Sequence, residues 1–151
     1  MTVELISRSF GDFATENSTP ADLLTRLNRY AGKWSFNVTT VSPDMKKADP
    51  YLLVSVACLE KNAEKALEGE RISKTIYDEE TAKTVIAREL NNTKMQFMSN
   101  GVGLAINTSE SLISASAYYS TLTGGYPIFK KLQNYSEMPS SFCDDAKVIL
   151  S

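Results

Sequence analysis

The side chains of this chain that could do chemistry are carboxylates, lysines, tyrosines and cysteines, because its 151 residues include no histidine. Histidine is the side chain that most often transfers protons near neutral pH and most often binds zinc. Its absence leaves general acid–base catalysis to the other ionisable groups. The two cysteines, Cys58 and Cys143, lie far apart and form no C-x-x-C pair. We therefore expect no metal site, and no motif requires a cofactor.

The densest acidic stretch of the chain contains Glu70, which begins a predicted strand and could face a cleft. Arg71 follows it directly and could orient an anionic group there. If the chain is an enzyme, Glu70 is its candidate catalytic carboxylate. The alternative interpretation is a solvated acidic edge next to the charges of a helix N-terminus.

Tyrosines gather in the C-terminal third of the chain, where Tyr118 and Tyr126 are candidate ligand-binding residues. Tyr126 follows Gly124-Gly125, so a flexible loop would present this aromatic side chain. Clustered tyrosines can stack a nucleobase or anchor a protein partner. With Glu70 and Arg71, these two tyrosines form the predicted ligand site, although tyrosines at the edge of a core would give the same pattern.

Two further patterns, a pair of glycines and a group of serines, are weak evidence for a functional site. Gly101 and Gly103 form an isolated G-x-G, whereas a dinucleotide site needs three glycines between a strand and a helix. The serines between residues 111 and 120 have no histidine partner and no nearby lysine to activate a nucleophile.

The first half of the chain predicts alternating strands and helices. Thr19 is a predicted N-cap with Pro20 at the first helical position, and Gly32 would end this helix. The remaining segments predicted here are a strand at Val3–Phe10, a strand at Trp34–Val41, a loop at Ser42–Pro50, a central strand at Tyr51–Cys58 and a short helix at Leu59–Glu68.

The second half begins with a predicted strand at Arg71–Tyr77 and a helix capped by Asp78 that would close at Asn91-Asn92. Asn100-Gly101 predicts a tight hairpin between two strands, Met95–Met98 and Val102–Ile106. Residues 109–122 fit a helix or a strand equally well. Pro127 could open a further helix, and Ala146–Leu150 predicts a closing strand.

This order of elements predicts an α+β fold in one domain spanning residues 1–151. We expect two main helices on one face of a mostly antiparallel sheet, in a layout similar to a split β-α-β unit. The C-terminal third would form a mixed extension.

Charge and hydropathy limit the partners that we expect. The formal net charge is −2, and no basic block is long enough to favour nucleic acid. No stretch approaches the length of a membrane span, and the first ten residues lack the apolar middle of a secretory signal. These features predict a cytoplasmic protein, in the host cell or the virion if phage-encoded, that contacts neither membranes nor nucleic acid.

Several short segments resemble the phage enzymes that degrade S-adenosylmethionine, the SAM lyases. The residues that carry the resemblance are Leu5-Ile6-Ser7, Leu24, Leu27, Trp34, Glu70 and Ile86-Ala87-Arg88. The resemblance implies an oligomer with an adenosyl site between subunits and Glu70 as a site carboxylate. It also implies a catalytic tyrosine shortly before that glutamate, whereas the nearest preceding tyrosine here is Tyr51.

Two functional hypotheses follow from these observations. The first is a non-catalytic assembly protein that forms a homo-oligomer or joins a larger particle, such as a phage virion, through contacts with itself and other proteins. The second is a small protein with an adenosyl or nucleotide ligand, such as a SAM lyase or a ligand sponge. The lack of histidine and of a catalytic motif favours the first.

Overall fold

The structure, a computed structural model, describes residues 1–68 and 75–150. Its helices are α1 (Thr2–Arg8), α2 (Pro20–Tyr30), α3 (Ala63–Glu68), α4 (Glu79–Ser99), α5 (Gly101–Glu110), α6 (Ala115–Gly124), α7 (Tyr126–Glu137) and α8 (Pro139–Leu150). Its strands are β1 (Ala31–Asp44) and β2 (Lys47–Cys58), and a single 3₁₀ turn covers Glu60–Asn62. The predicted α+β class and the antiparallel sheet are confirmed.

The strands β1 and β2 form one long antiparallel hairpin. Alternating side chains divide it into two faces, and Phe36, paired with Val54, lies on the face that packs against the helices. In the described part of the chain β2 pairs with β1 alone, so the prediction of a central strand was wrong.

The turn of this hairpin is shorter than the sequence predicts. The two strands take up the predicted loop at Ser42–Pro50 except for the residues at the tip, Met45 and Lys46. The Asp44 carboxylate accepts hydrogen bonds from the backbone N–H of Lys46 and Lys47, which closes the turn.

Helix α2 begins as its sequence predicts. The Thr19 side chain accepts a hydrogen bond from the Asp22 N–H, and Pro20 takes the first helical position. The buried stripe contains Leu23 and Leu27. The helix ends at Tyr30, and the chain continues directly into β1.

The main core lies where α1, α4, α7 and α8 meet. Its buried members are Leu5, Ile6, Phe13, Tyr77, Ala82, Val85, Ile86, Ile128, Leu132, Tyr135, Phe142, Cys143 and Ala146. The hairpin is joined to this helical part through α1 and the residues after it. The Ser7 hydroxyl donates to the Phe36 carbonyl at 3.0 Å, and the Phe10 ring stacks on the Phe36 ring.

The predicted strand at Val3–Phe10 is wrong, because these residues belong mainly to helix α1. Leu5, Ile6 and Ser9 are buried, which is the i, i+1, i+4 spacing of one helix face rather than the alternation of a strand. The Arg8 guanidinium pairs with the Glu4 carboxylate at 3.2 Å, one helical turn away. The chain therefore does not open with a strand of a split β-α-β unit.

The hairpin predicted around Asn100-Gly101 is also wrong. Helix α4 continues past Asn91-Asn92 to Ser99, Asn100 lies between helices, and α5 starts at Gly101. Tertiary packing outweighs the local turn signal, because the C-terminal half of α4 lies against α7. The Phe97 and Phe129 ring centroids are 5.6 Å apart across that contact.

The last predicted strand, Ala146–Leu150, belongs to helix α8. Phe142, Cys143 and Ala146 are buried at helical spacing, which places α8 in the core. The helix predicted at Leu59–Glu68 is present as the 3₁₀ turn and α3, and the helix predicted at Pro127 is α7. Residues 109–122 contain the end of α5, a turn and most of α6.

Part of the strand predicted at Arg71–Tyr77 lies outside the described residues. Among those that are described, Thr75 forms an isolated antiparallel bridge with Thr15. Asp78 caps α4 as predicted, since its carboxylate accepts a hydrogen bond from the Thr81 N–H at 2.8 Å. In the residues that the structure covers, no helix has the length and apolar character needed to cross a membrane.

Candidate functional site

Of the four predicted ligand-site residues, the structure describes only Tyr118 and Tyr126. Glu70 and Arg71 lie outside the described residues. Tyr118 on α6 and Tyr126 on α7 are both more than half exposed. The Tyr126 ring lies 6.3 Å from the Phe129 ring, and no ring contact between Tyr118 and Tyr126 is found among the described residues.

Another tyrosine of the C-terminal third, Tyr135, has a structural role in the core. Its ring is buried, and its hydroxyl donates to the Asp145 carboxylate, which also receives the Lys131 ammonium at 3.0 Å. Burial raises the pKa of Tyr135. The hydrogen bonds from Tyr135 and Lys131 lower the pKa of Asp145. This cluster ties α7 to α8.

The serines and cysteines also have structural surroundings. The Ser111 and Ser120 hydroxyls donate to backbone carbonyls of the preceding turn, and the Ser114 side chain caps α6. Cys143 is buried and Cys58 half-buried, and both are free thiols. In the described part of the chain, no three His, Cys, Asp or Glu side chains are grouped closely enough to hold a metal ion.

A nearly uncharged segment carries several exposed apolar side chains of the helical part. Residues 95–113 contain one charged residue, Glu110, whereas charged residues make up 23% of the whole chain. Six large apolar side chains of this segment are at least half exposed, and we call them the apolar ridge: Met95, Met98, Val102, Ile106, Leu112 and Ile113.

The apolar ridge continues to the tip of the β-hairpin. The backbone N–H of Ala115, two residues after Ile113, donates to the carbonyl of Met45 at 2.8 Å. Met45 is itself 65% exposed. Groups of exposed apolar side chains can mark protein interaction sites, and depletion of charge is typical of an interface core.

A second surface feature is a cleft centred on Tyr30, where α2, α3 and the ends of the strands converge. The Lys65 ammonium lies 5.4 Å from the Tyr30 ring centroid, and the Arg29 guanidinium carbon lies 5.7 Å from it. One side of the cleft is an open depression of about 430 Å³, and its lining residues are Asp22, Thr25, Arg26, Arg29, Tyr30 and Lys65. A second depression of about 460 Å³ shares Arg29 and Tyr30 and extends to Cys58.

Sequence reasoning missed both surfaces, although each leaves a signal. The lack of charge between residues 95 and 113 is visible in the sequence, but most of its apolar residues were assigned to the two strands of a predicted hairpin. In α2, Arg26 and Arg29 stand at i, i+3 and so share a helix face. The third cation, Lys65, is remote in sequence, and only the fold brings it to Tyr30.

Comparison with known families decides the membership of the chain. A family model described as peptidase M-16C associated matches residues 1–134, which is 134 of the 151 residues. The chain belongs to this peptidase-associated family. No curated protein matches its sequence.

Membership of the peptidase-associated family corrects the functional predictions made from the sequence. The resemblance to SAM lyases is wrong, so it no longer supports a role for Glu70 in an adenosyl site. The interpretation as an assembly protein of a phage virion or another large particle is likewise overturned. The matched segments Leu5-Ile6-Ser7 and Ile86-Ala87-Arg88 lie instead on α1 and α4, where Leu5, Ile6 and Ile86 belong to the core.

The match to the peptidase-associated family ends inside α7, and α8 follows it. Phe142, Cys143 and Ala146 of α8 nevertheless belong to the same core as residues of α1 and α4. The fold therefore uses a helix beyond the matched region to close its main core.

Proposed function

We propose that this chain works beside a peptidase of the class named by its family, the M-16C peptidases, and docks on it through the apolar ridge. The observation that carries the proposal is the family match over residues 1–134, whose description names association with that peptidase. The partner predicted from the sequence was the chain itself or other proteins, and the family match favours a peptidase among them.

The total exposed surface supports a role as a docking element. A compact monomer of 16.7 kDa exposes about 7,600 Å² by the usual scaling of surface with mass. This chain exposes 9272 Å². The difference exceeds the roughly 800 Å² that one partner contributes to a standard protein interface. The chain is therefore less compact than an average monomer of its mass, and its extra surface is large enough for an interface of ordinary size.

The chemistry of the apolar ridge suits a protein partner. Met95 and Met98 lie at i, i+3 on α4, and Val102 and Ile106 lie at i, i+4 on α5, so each pair shares a helix face. Methionine side chains are flexible and polarisable, which lets them adapt to an irregular partner surface. Burying such side chains contributes about 25 cal/mol for each Å² removed from water.

The proposal is tested by measuring the affinity of the chain for the peptidase of this class from its source organism. Calorimetry with wild-type chain and with Met98→Glu, Val102→Glu and Leu112→Glu compares intact and charged ridges. These side chains are well exposed, so we expect each variant to fold and to bind at least about tenfold more weakly, since a charge must be desolvated at the interface.

Met138→Glu is the matched control, because Met138 is 59% exposed but lies between α7 and α8, away from the ridge in sequence. It should bind like the wild type. Full affinity of all three ridge variants, or no affinity of the wild type, would contradict the proposal. A ridge-dependent dimer that does not bind the peptidase would show that the chain itself is the partner and would overturn it as well.

A further inference from the structure

The Tyr30 cleft concentrates positive charge in a chain whose net charge is negative. Three of its lining side chains are cationic, namely Arg26, Arg29 and Lys65, and one is a carboxylate, Asp22. The formal net charge of the whole chain is −2. A local excess of positive charge on a negatively charged protein attracts the anionic group of a ligand.

The position of Lys65 is the observation that points to a ligand. Arg29 lies in the last turn of α2, where a cation is favoured by the helix dipole alone. Lys65 comes from α3, a separate element, and its ammonium still lies 5.4 Å from the ring of Tyr30. Within the described residues, neither Arg29 nor Lys65 has a carboxylate within 4.0 Å.

The Tyr30 ring, which both cations approach, restricts the positions of Arg29 and Lys65. A cation over a tyrosine face is stabilised by roughly 0.5–1 kcal/mol at an exposed site. The ring of Tyr30 therefore holds Arg29 and Lys65 near each other with donors still available, since a cation–π contact uses no hydrogen bond. An arginine fork and an ammonium suit a carboxylate, and Thr25 adds a hydroxyl beside them.

The adjoining depression suits the rest of an extended peptide. It shares Arg29 and Tyr30 with the cationic side, and it is lined further on by small and apolar residues that include Gly32, Ala57 and Leu59. Its volume, about 460 Å³, lies in the range of ordinary ligand pockets. A carboxylate at the cations would place neighbouring peptide residues over this less charged surface.

We propose that the Tyr30 cleft binds a carboxylate of an extended peptide. The carboxylate comes either from the C-terminus of the peptide or from an acidic side chain, because both present the same two oxygens. That the natural ligand is a substrate or product of a peptidase rests on the proposed function. Binding of a peptide to the purified chain does not need the peptidase, so failure of one proposal is distinguishable from failure of the other.

Three synthetic peptides test the proposal on the full chain by calorimetry. The first is an acetylated alanine–serine pentapeptide with a free C-terminal carboxylate, the second is its C-terminal amide, and the third is that amide with a central glutamate. Trp34 gives a second readout, because it is the one tryptophan of the chain and its indole N–H donates to Asn28, which lines the depression.

We expect the neutral amide not to bind and at least one carboxylate peptide to bind, with affinity falling as salt is added. Binding of the free acid assigns the C-terminal carboxylate, and binding of the glutamate peptide assigns an acidic side chain. Arg29→Ala and Lys65→Ala should each weaken binding about tenfold, as expected for loss of a charged hydrogen bond.

Lys61→Ala is the matched control, since Lys61 is an exposed lysine of the neighbouring 3₁₀ turn and does not line the cleft. It should leave the affinity unchanged, and Arg29→Lys should recover part of it. Equal binding of all three peptides, no binding of any, or equal losses in Lys61→Ala and Lys65→Ala would overturn the proposal.

Discussion

Replacing Phe142 by alanine tests whether α8 closes the core in the way that the structure shows. Phe142 is fully buried, and its ring centroid lies 5.4 Å from that of Tyr135, 6.1 Å from that of Tyr77 and 6.2 Å from that of Phe13. These partners come from α7 and from the segments before α2 and α4. One side chain of α8 thus joins three distant parts of the chain.

The expected loss follows from this burial. Truncation of a buried phenylalanine to alanine lowers the free energy of unfolding by about 3–5 kcal/mol, because apolar contacts are lost and a cavity remains. Three aromatic neighbours place Phe142 in the upper part of that range. The total free energy of unfolding of a domain of this size is about 5–15 kcal/mol. The variant should therefore melt about 6–20 °C below the wild type.

Urea unfolding followed by circular dichroism, together with thermal melts, measures this loss. Phe142→Leu should lose less than Phe142→Ala, since leucine keeps most of the apolar volume. Tyr118→Ala is the control on the surface, because Tyr118 is 55% exposed, and it should stay within about 0.5 kcal/mol of the wild type. A loss below about 1 kcal/mol in Phe142→Ala would refute the packing of α8 against this core.

Two further predictions concern the pH dependence of stability. A hydrogen bond from Tyr135, and a smaller effect of the hydrogen bond from Lys131, hold the pKa of Asp145 below its ordinary value of 3.8. The Asp145 carboxylate therefore stabilises the fold fully above pH 3.8, and this stabilisation is lost as the pH falls through the folded pKa. The urea concentration at the midpoint of unfolding should fall when the pH is lowered below about 4, and this fall should be smaller in Asp145→Asn. Burial raises the pKa of Tyr77 to about 12, with an opposing effect of a hydrogen bond from Thr75. The unfolded chain then releases this proton first, so stability should fall between about pH 10 and 12, and a Tyr77→Phe variant with the same alkaline slope as the wild type would contradict the assignment.

The elements with capping residues were predictable from the sequence. Thr19, followed by Pro20, and Asp78 each begin a helix where a side-chain oxygen meets a free backbone N–H. Alternation from Trp34 to Val41 predicted β1, since the residues on one face of this strand are less exposed than those on the other. These signals are local, and no distant contact opposes them.

The wrong predictions occur where distant packing outweighs a local pattern. Asn100-Gly101 is a strong turn signal, yet the contact between Phe97 and Phe129 keeps α4 helical up to it. At both ends of the chain, short apolar runs were taken for strands, although Leu5, Ile6 and Ala146 are buried at helical spacing. A run of about five to eight residues is too short to distinguish the periodicity of a helix from that of a strand.

The candidate surfaces were less accessible to sequence reasoning than the fold. The apolar ridge can be recognised only when residues 95–113 are known to form helices and a turn with exposed apolar side chains. The Tyr30 cleft forms because Lys65 of α3 lies close to α2, and the periodicity of neither helix predicts this contact. The family membership rests on similarity along the whole matched region, and the segments that resembled SAM lyases were too short and too general to compete with it.

Hydrogen exchange of the chain with and without the peptidase that we propose as its partner tests the central claim most directly. If the chain docks through the apolar ridge, amide exchange within residues 95–113 should slow at least about tenfold in the complex, because a covered surface opens less often. The exposed face of α8 should exchange as it does in the free chain. A complex in which residues 95–113 exchange unchanged while another surface is protected, or the absence of any complex, would contradict the account.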